Sequence, residues 1–445
     1  MRASKVKITK IILIIFYIAL FTGLALYDEK PNDEMLKEIT RLLPEVIEPN
    51  NGCIAFIGFA SPKGVSSYAY GVEKMQKLKD AFLAKKVIGK MINPFDGKKN
   101  ELSFQGEIPS FFSSATGKTL ENASKHSDEI AQLSWKNKEL LQRYETLYTY
   151  PHYTEPLDCG YFIYLFPLNY NLISGAHRMK LLQLAVMANR GDVAGALAWV
   201  RKDAEFWRFI ARSSRTSPSK ICSFASLSFD LRFAAELGEY RSLNRKELEM
   251  VREILRTFDQ REVNMADSML GDAHWIIREW GPWDMWNTMR EKVPELNGLF
   301  LKQNATKNRM YALQQKYFRL AELPPQKFAI EVKKPHASKY YSFGRIGIPF
   351  LYNPAGEILV RMTISTNYLI IGAQHNLEGI RRLACLKVLA GMEKVPSEKM
   401  QQFFDAHAKD LGNPFTAGAM TWNPDKRSIY FISPLFTKIP VEISF

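Results

Sequence analysis

Charged and apolar positions separate most sharply at the start of the chain. Arg2, Lys5, Lys7 and Lys10 precede an uncharged, mostly apolar run over residues 11–27, and Asp28 and Glu29 follow at once. At 1.5 Å per residue the run makes about 25 Å of helix, and a snorkelling Lys10 lets Ile8 extend it towards the roughly 30 Å of a hydrocarbon core. Basic residues before the run and acidic ones after it predict a single crossing, with residues 1–10 as a cytoplasmic tail and everything after Tyr27 outside. A cleaved signal peptide is the alternative, because Gly23 and Ala25 would sit at −3 and −1 of a cut after Ala25. The apolar stretch continues through Leu26 and Tyr27, longer than the usual signal core, and this favours the anchor.

Beyond the span, the pattern changes period several times. Residues 28–50 form an acidic-edged connector in which Leu36, Ile39, Leu43 and Val46 mark a short amphipathic helix. Residues 51–130 predict a small, mixed, loop-rich segment. In it, Cys53 to Phe59 reads as a buried strand between turns, and 94–127 as a long irregular excursion. Residues 131–335 predict a helical domain, with helices over 137–148, 171–189, 193–211, 218–237, 244–258, 261–280 and 307–321. Between the second and third of these, Gly191 can close one helix in the left-handed conformation and Asp192 can cap the next. The order Gly191-Asp192-x-x-x-Ala196-Leu197 is similar to turns of tetratricopeptide-type hairpins. No 34-residue period recurs, so the expected body is an irregular bundle or solenoid-like stack. Asn244 and Glu247 make a capping-box pair. Residues 336–445 predict an α+β region: a hairpin or turn around Asn353-Pro354-Ala355-Gly356, a helix over 367–394, a shorter one ending near Leu411, and a hairpin turning at 423–427. The fold class is thus mainly α, with small α+β elements at both ends and one N-terminal transmembrane helix.

Composition adds limits. The 445 residues are 46% hydrophobic and 24% charged, which excludes a collagenous, low-complexity or wholly disordered chain. A mean hydropathy of −0.20 excludes a polytopic membrane protein. Sixty Lys and Arg against 46 Asp and Glu give +14, and +10 remains when Arg2, Lys5, Lys7 and Lys10 are set aside. That excess suits anionic neighbours such as lipid headgroups or cell-wall polymers, and an outside location argues against nucleic acid.

Candidate chemistry is thin. Ser217-Pro218-Ser219-Lys220 fits the Ser-x-x-Lys pattern of penicillin-binding enzymes and Ser365-Thr366-Asn367 fits their Ser-x-Asn element, but no Lys-Thr-Gly follows and Pro218 suits the first turn of a helix. Thr116-Gly117-Lys118-Thr119 resembles the end of a phosphate loop, yet Phe112 stands where its first glycine belongs. Gly58 and Gly64 lack dinucleotide-binding spacing and suit a close-packed turn. No His-Glu-x-x-His or Cys-x-x-Cys-His occurs among the seven histidines, and His375-x-x-Glu378 is a common helix-face pair, so no metal and no cofactor is expected. Asp203 and Glu205, near Arg201, Lys202 and Arg208, read as a solvated, ion-paired face rather than a buried acid–base cluster. Of the four cysteines, Cys53 and Cys159 lie in turn-rich segments and form the candidate disulfide; Cys222 and Cys385 read as buried thiols on helices. Trp275, Trp280, Trp283 and Trp286 crowd around Gly281-Pro282, as a packed corner or as a ligand-binding aromatic platform.

Several short motifs occur in order: Asn51-Gly52-Cys53 leading into Gly58-Phe59-Ala60-Ser61-Pro62-Lys63-Gly64, then Asn304-Ala305-Thr306-Lys307-Asn308, Asn353-Pro354-Ala355-Gly356 and Asn413-Pro414-Phe415-Thr416. Together they resemble an uncharacterised family of proteobacterial proteins with one N-terminal membrane span and a mostly helical envelope domain. The resemblance implies the Gram-negative inner membrane with the body in the periplasm, and it carries no catalytic residue. The expected function is a membrane-anchored periplasmic binding or scaffold protein, with no reaction identifiable and an envelope protein complex or anionic cell-wall polymer as its partner. The alternative is an envelope hydrolase or transferase acting on peptidoglycan or lipid-linked sugar near the Trp-rich corner.

Overall fold

The computed structural model describes residues 27–41, 48–83, 101–109, 118–156, 169–240, 243–279, 301–334, 352–364, 367–435 and 440–445. The expected crossing over 11–27 therefore lies outside the described residues except for Tyr27. No described helix is long and apolar enough to cross a membrane.

The chain is mainly helical. Its helices are α1 (Asp33–Arg41), α2 (Gly52–Ile57), α3 (Ser67–Leu83), α4 (Thr119–Lys125), α5 (Ser127–Lys136), α6 (Lys138–Thr146), α7 (Tyr170–Asn189), α8 (Val193–Ser213), α9 (Ser217–Tyr240) and α10 (Arg245–Ile254). They continue with α11 (Gln260–Val263), α12 (Ala266–Glu279), α13 (Gln303–Ala321), α14 (Pro325–Lys333), α15 (Pro354–Ile364), α16 (Asn367–Met392), α17 (Met400–Ala406) and α18 (Ala408–Leu411). A three-stranded antiparallel sheet follows: β1 (Thr421–Asn423), β2 (Ser428–Ile432) and β3 (Pro440–Ser444), in spatial order β1-β2-β3 with Ile429 opposite Ile443.

α9 is the axis of the body: α4, α7, α8, α10, α12 and α16 all pack on it. Helices surrounded in this way carry apolar side chains on every face. Phe224, Leu227, Leu231, Phe233, Ala234 and Leu237 of α9 are accordingly all buried. The sheet closes one end, with Ile429, Phe431 and Ile443 buried, β2 and β3 packing on α16 and β1 on α17. Buried apolar residues from Cys53 to Ile443 form one contiguous cluster.

Local signals hold at several points. Gly191 takes φ +106°, and the Asp192 carboxylate accepts from Gly195 N at 2.8 Å, closing the α7–α8 hairpin. Asn244 and Glu247 form the expected capping box. The C-terminal hairpin turns where expected and gains a third strand.

Three expectations are corrected. Cys53 to Phe59 is not a strand: Asn51 accepts from Cys53 N and starts α2, whose six residues are all buried. α2 then crosses α3 so closely that a Cβ on Gly58 would lie 1.9 Å from Ser67 O, and one on Gly71 1.9 Å from Ile54 O. Gly58 therefore serves a packed crossing, and among the described residues the N-terminal end has only isolated bridges, Asn51 with His152 and Pro62 with Glu101, in place of the strand of a mixed α+β element. The motif beginning at Asn353 opens α15 rather than a hairpin, because the Asn353 side chain accepts from Gly356 N and donates to Thr306 Oγ1 at 2.7 Å. The helix expected over 261–280 is broken into α11 and α12, where Asn264 caps Ala266 N at 2.8 Å and Met265 N bonds Gln374.

Candidate functional site

α7, α8 and α9 bring His177, Asp203 and Asp230 together in the centre of the bundle, all at 0% exposure. His177 Nε2 lies 2.9 Å from Asp230 Oδ1 and 2.9 Å from Asp203 Oδ2. The contact to Asp230 has hydrogen-bond geometry; that to Asp203 does not, since Asp203 Oδ2 has no hydrogen-bond partner among the described residues. Asp230 Oδ2 and His177 Nδ1 are likewise unpartnered. On its other oxygen, Asp203 accepts from Tyr144 at 2.7 Å and Tyr148 at 2.5 Å, and Trp207 Nε1 donates to Tyr144 Oη at 2.9 Å. The Tyr144 ring stacks beside His177 with centroids 5.8 Å apart.

With protons alone in this cluster, burial pushes the Asp230 carboxyl well above the usual range and the neighbouring Asp203 adds to the effect. Burial opposes a charge on His177, but the two carboxylates outweigh it and lift the imidazole to about 10. Tyr144 and Tyr148 are raised by burial and by Asp203, so their hydroxyls remain donors.

A second polar cluster gathers at the start of α9. Glu155, at 0% exposure, accepts from Arg215 N at 2.6 Å, from Thr216 Oγ1 at 2.8 Å and from Ser219 Oγ, to which Tyr153 and Tyr170 also bond. Asp272 accepts from Ser217 N at 3.1 Å, and burial raises its carboxyl to about 7. These carboxylates meet the free amides and positive dipole end of the helix. Lys220 Nζ donates to Arg261 O at 2.9 Å and burial lowers it to about 8, while Ser217 Oγ has no partner among the described residues. The Ser217–Lys220 pair is thus on one helix but not joined as nucleophile and base. Ser365 and Thr366 lie outside the described residues.

The third feature is open. A surface groove of about 780 Å³ runs between α5–α6 and α7, with Ile130, Leu141, Val186 and Met187 in its lining. Trp135 stands 75% exposed at its edge, with Lys138 Nζ 5.5 Å from its ring centre. Lys180 pairs with Glu145, whereas Lys138 and Arg190 form no ion pair among the described residues.

The sequence-derived candidates fall elsewhere. Trp275 is on α12, and Trp280, Trp283 and Trp286 lie outside the described residues. Cys53 is fully buried in α2 and Cys159 lies outside the described residues. Cys222 on α9 is a thiol that burial pushes up to about 12, and the Cys385 thiol on α16 is raised by burial as well. Thr116 and Gly117 lie outside the described residues, and Thr119 donates to the buried Glu236. His375 packs on Phe328 and burial lowers it to about 4, while Glu378 accepts from Arg381 and Arg382 instead of pairing with His375.

The reading of Asp203 and Arg208 as part of a solvated face is overturned. Arg208 is fully buried, donating to Glu262 at 2.8 Å and to Arg256 O at 2.9 Å; only Arg201 and Glu205 of that group form exposed pairs, with Glu253 and Arg256. The signal for burial was helical phase: Asp203 lies three residues after Val200 and four before Trp207, on the apolar stripe of α8. Comparison with protein-family models, with curated proteins and with solved structures gives no match for this chain.

Proposed function

We propose that the chain is a membrane-tethered, non-enzymatic binding or scaffold protein of the bacterial envelope, anchored by residues 11–27 with its helical body in the periplasm. The observation that carries the reading is the groove between α5–α6 and α7: an apolar floor, an exposed Trp135 and two cations without ion-pair partners among the described residues, Lys138 and Arg190. Such a groove fits an apolar peptide segment bearing acidic residues, supplied by another envelope protein. The two polar clusters around α9 are sealed, which supports binding over turnover.

The test is a photo-crosslinking residue at Ala131, an exposed position in the groove lining, in the full-length protein in living cells. The expected result is an adduct to a polypeptide whose crosslinked peptide is apolar and acidic, reduced about tenfold or more by Lys138→Glu with Arg190→Glu, which corresponds to roughly 1.4 kcal/mol. Adducts to lipid or glycan alone, no adduct, or indifference to the charge reversal would overturn the binding role. A reporter fused after Phe445 that lay in the cytosol would overturn the compartment.

A further inference from the structure

We infer that His177, Asp203 and Asp230 form a structural binding site for one divalent first-row cation, of the Zn²⁺ or Mn²⁺ class, clamping α7, α8 and α9 together. One ligand atom from each residue falls within a common 4.8 Å span. The His177 Nε2 to carboxylate distances of 2.9 Å are slightly shorter than the roughly 3.0–3.5 Å separating donors around an ion with bonds of about 2.0–2.2 Å. Moving the donors apart by a few tenths of an ångström makes room.

The unpartnered atoms point the same way. Asp203 Oδ2 and Asp230 Oδ2 are sealed from water and form no well-aligned hydrogen bond among the described residues, although His177 Nε2 lies 2.9 Å from Asp203 Oδ2. An anionic oxygen in that state is costly, and a cation bound by both carboxylates and by Nε2 satisfies them together. His177 Nδ1 is unpartnered with or without the cation and does not discriminate. Charge balances with the ion bound, because two carboxylates and a neutral imidazole match a divalent cation.

The surroundings are those of a ligand set held from outside. Tyr144 and Tyr148 occupy Asp203 Oδ1 and leave Oδ2 turned towards His177, and Trp207 fixes Tyr144 in turn. Outer hydrogen bonds of this kind set the orientation of metal-binding carboxylates. One imidazole and two carboxylates, with no thiolate, suit Zn²⁺, Mn²⁺ or Fe²⁺ over Cu⁺ or an iron–sulfur cluster. Complete burial makes the ion part of the folded core, loaded as the chain folds.

The test is to unfold the full-length protein in chelator, refold it in detergent with ZnCl₂ or MnCl₂, remove free metal and measure bound metal by mass spectrometry. The expected result is about one ion per chain and a Tm raised by about 5 °C or more over metal-free protein. Asp230→Asn, which keeps the side-chain shape, is expected to lose that equivalent; if it fails to fold, the wild-type stoichiometry and the visible absorption bands of a Co²⁺-refolded sample still decide. Refolded wild type with less than about a tenth of an equivalent of every metal and an unchanged Tm would overturn the site. So would equal metal in folded Asp230→Asn.

Discussion

At the N-terminal end of α9, Glu155 is buried and accepts from the Arg215 amide and the Thr216 and Ser219 hydroxyls at the start of the helix, and at 3.5 Å from the Tyr153 hydroxyl. Further along the same helix, Asp230 is as deeply buried, yet among the described residues it hydrogen-bonds His177 alone, and Asp203 beside it accepts from two tyrosines on one oxygen while the other faces His177. The contrast follows from the backbone. A helix N-terminus presents amides that nothing else satisfies, so a carboxylate there replaces water at little cost. In mid-helix those amides are already used, and a buried carboxylate must find its partners among side chains or from an added positive charge.

The largest expected effect tests the helix-end cluster. Glu155→Ala leaves Arg215 N and the Thr216 and Ser219 hydroxyls without their common acceptor and is expected to cost about 3–5 kcal/mol, read by chemical denaturation followed through tryptophan fluorescence. A loss below about 1 kcal/mol would mean that water replaces the carboxylate and that the end of α9 is open.

Asp272 gives the pH dependence of the same cluster. Its carboxyl is raised from 3.8 to about 7, so between those values the folded protein holds a proton that the unfolded chain has released. The contribution of Asp272 to stability therefore falls as pH rises from about 4 to about 7, by up to about 4 kcal/mol. Lys220, lowered to about 8, acts with the opposite sign only above that value. Unfolding free energies at pH 5 and pH 8 are expected to differ by less in Asp272→Asn than in wild type; equal differences would show that Asp272 is solvated.

Smaller changes sharpen the mid-helix side. Tyr144→Phe removes a donor to Asp203 and the acceptor of Trp207 Nε1, for an expected loss of about 2 kcal/mol, whereas Tyr148→Phe removes one donor and costs about 1 kcal/mol. Reversal of that order in thermal unfolding would contradict the network as drawn. The smallest effect is at the groove: Lys138→Glu leaves stability within about 0.5 kcal/mol, because its side chain is exposed and lies over the exposed Trp135 ring without an ion pair among the described residues.

These particulars show what the sequence discloses. The α7–α8 hairpin was legible because Gly191 and Asp192 act through local backbone geometry, and the C-terminal hairpin because its turn residues do. The apolar run of α2 fits a buried strand or a helix equally well, and the deciding hydrogen bond is accepted by Asn51, itself pinned by Thr154 far along the chain. Neighbouring charges suggest a solvated face for Asp203, whereas its helical phase places it on the buried stripe. Its partners His177 and Asp230 are on other helices, so no spacing motif joins them. Asp230 nevertheless follows Leu227 by three residues and precedes Ala234 by four, the same buried phase as Asp203.

Asp28 accepts from Asn304 N and Ala305 N at the first turn of α13, Asn308 bonds Asn32 N and Lys30 O, and Tyr352 donates to Tyr27 O. On the proposed topology these residues emerge directly from the bilayer, so no slack leash separates anchor from body. The periplasmic mass would pivot with its stalk as one stiff arm. Its reach above the lipid, and the direction its groove faces, would then be set by the tilt of a single helix.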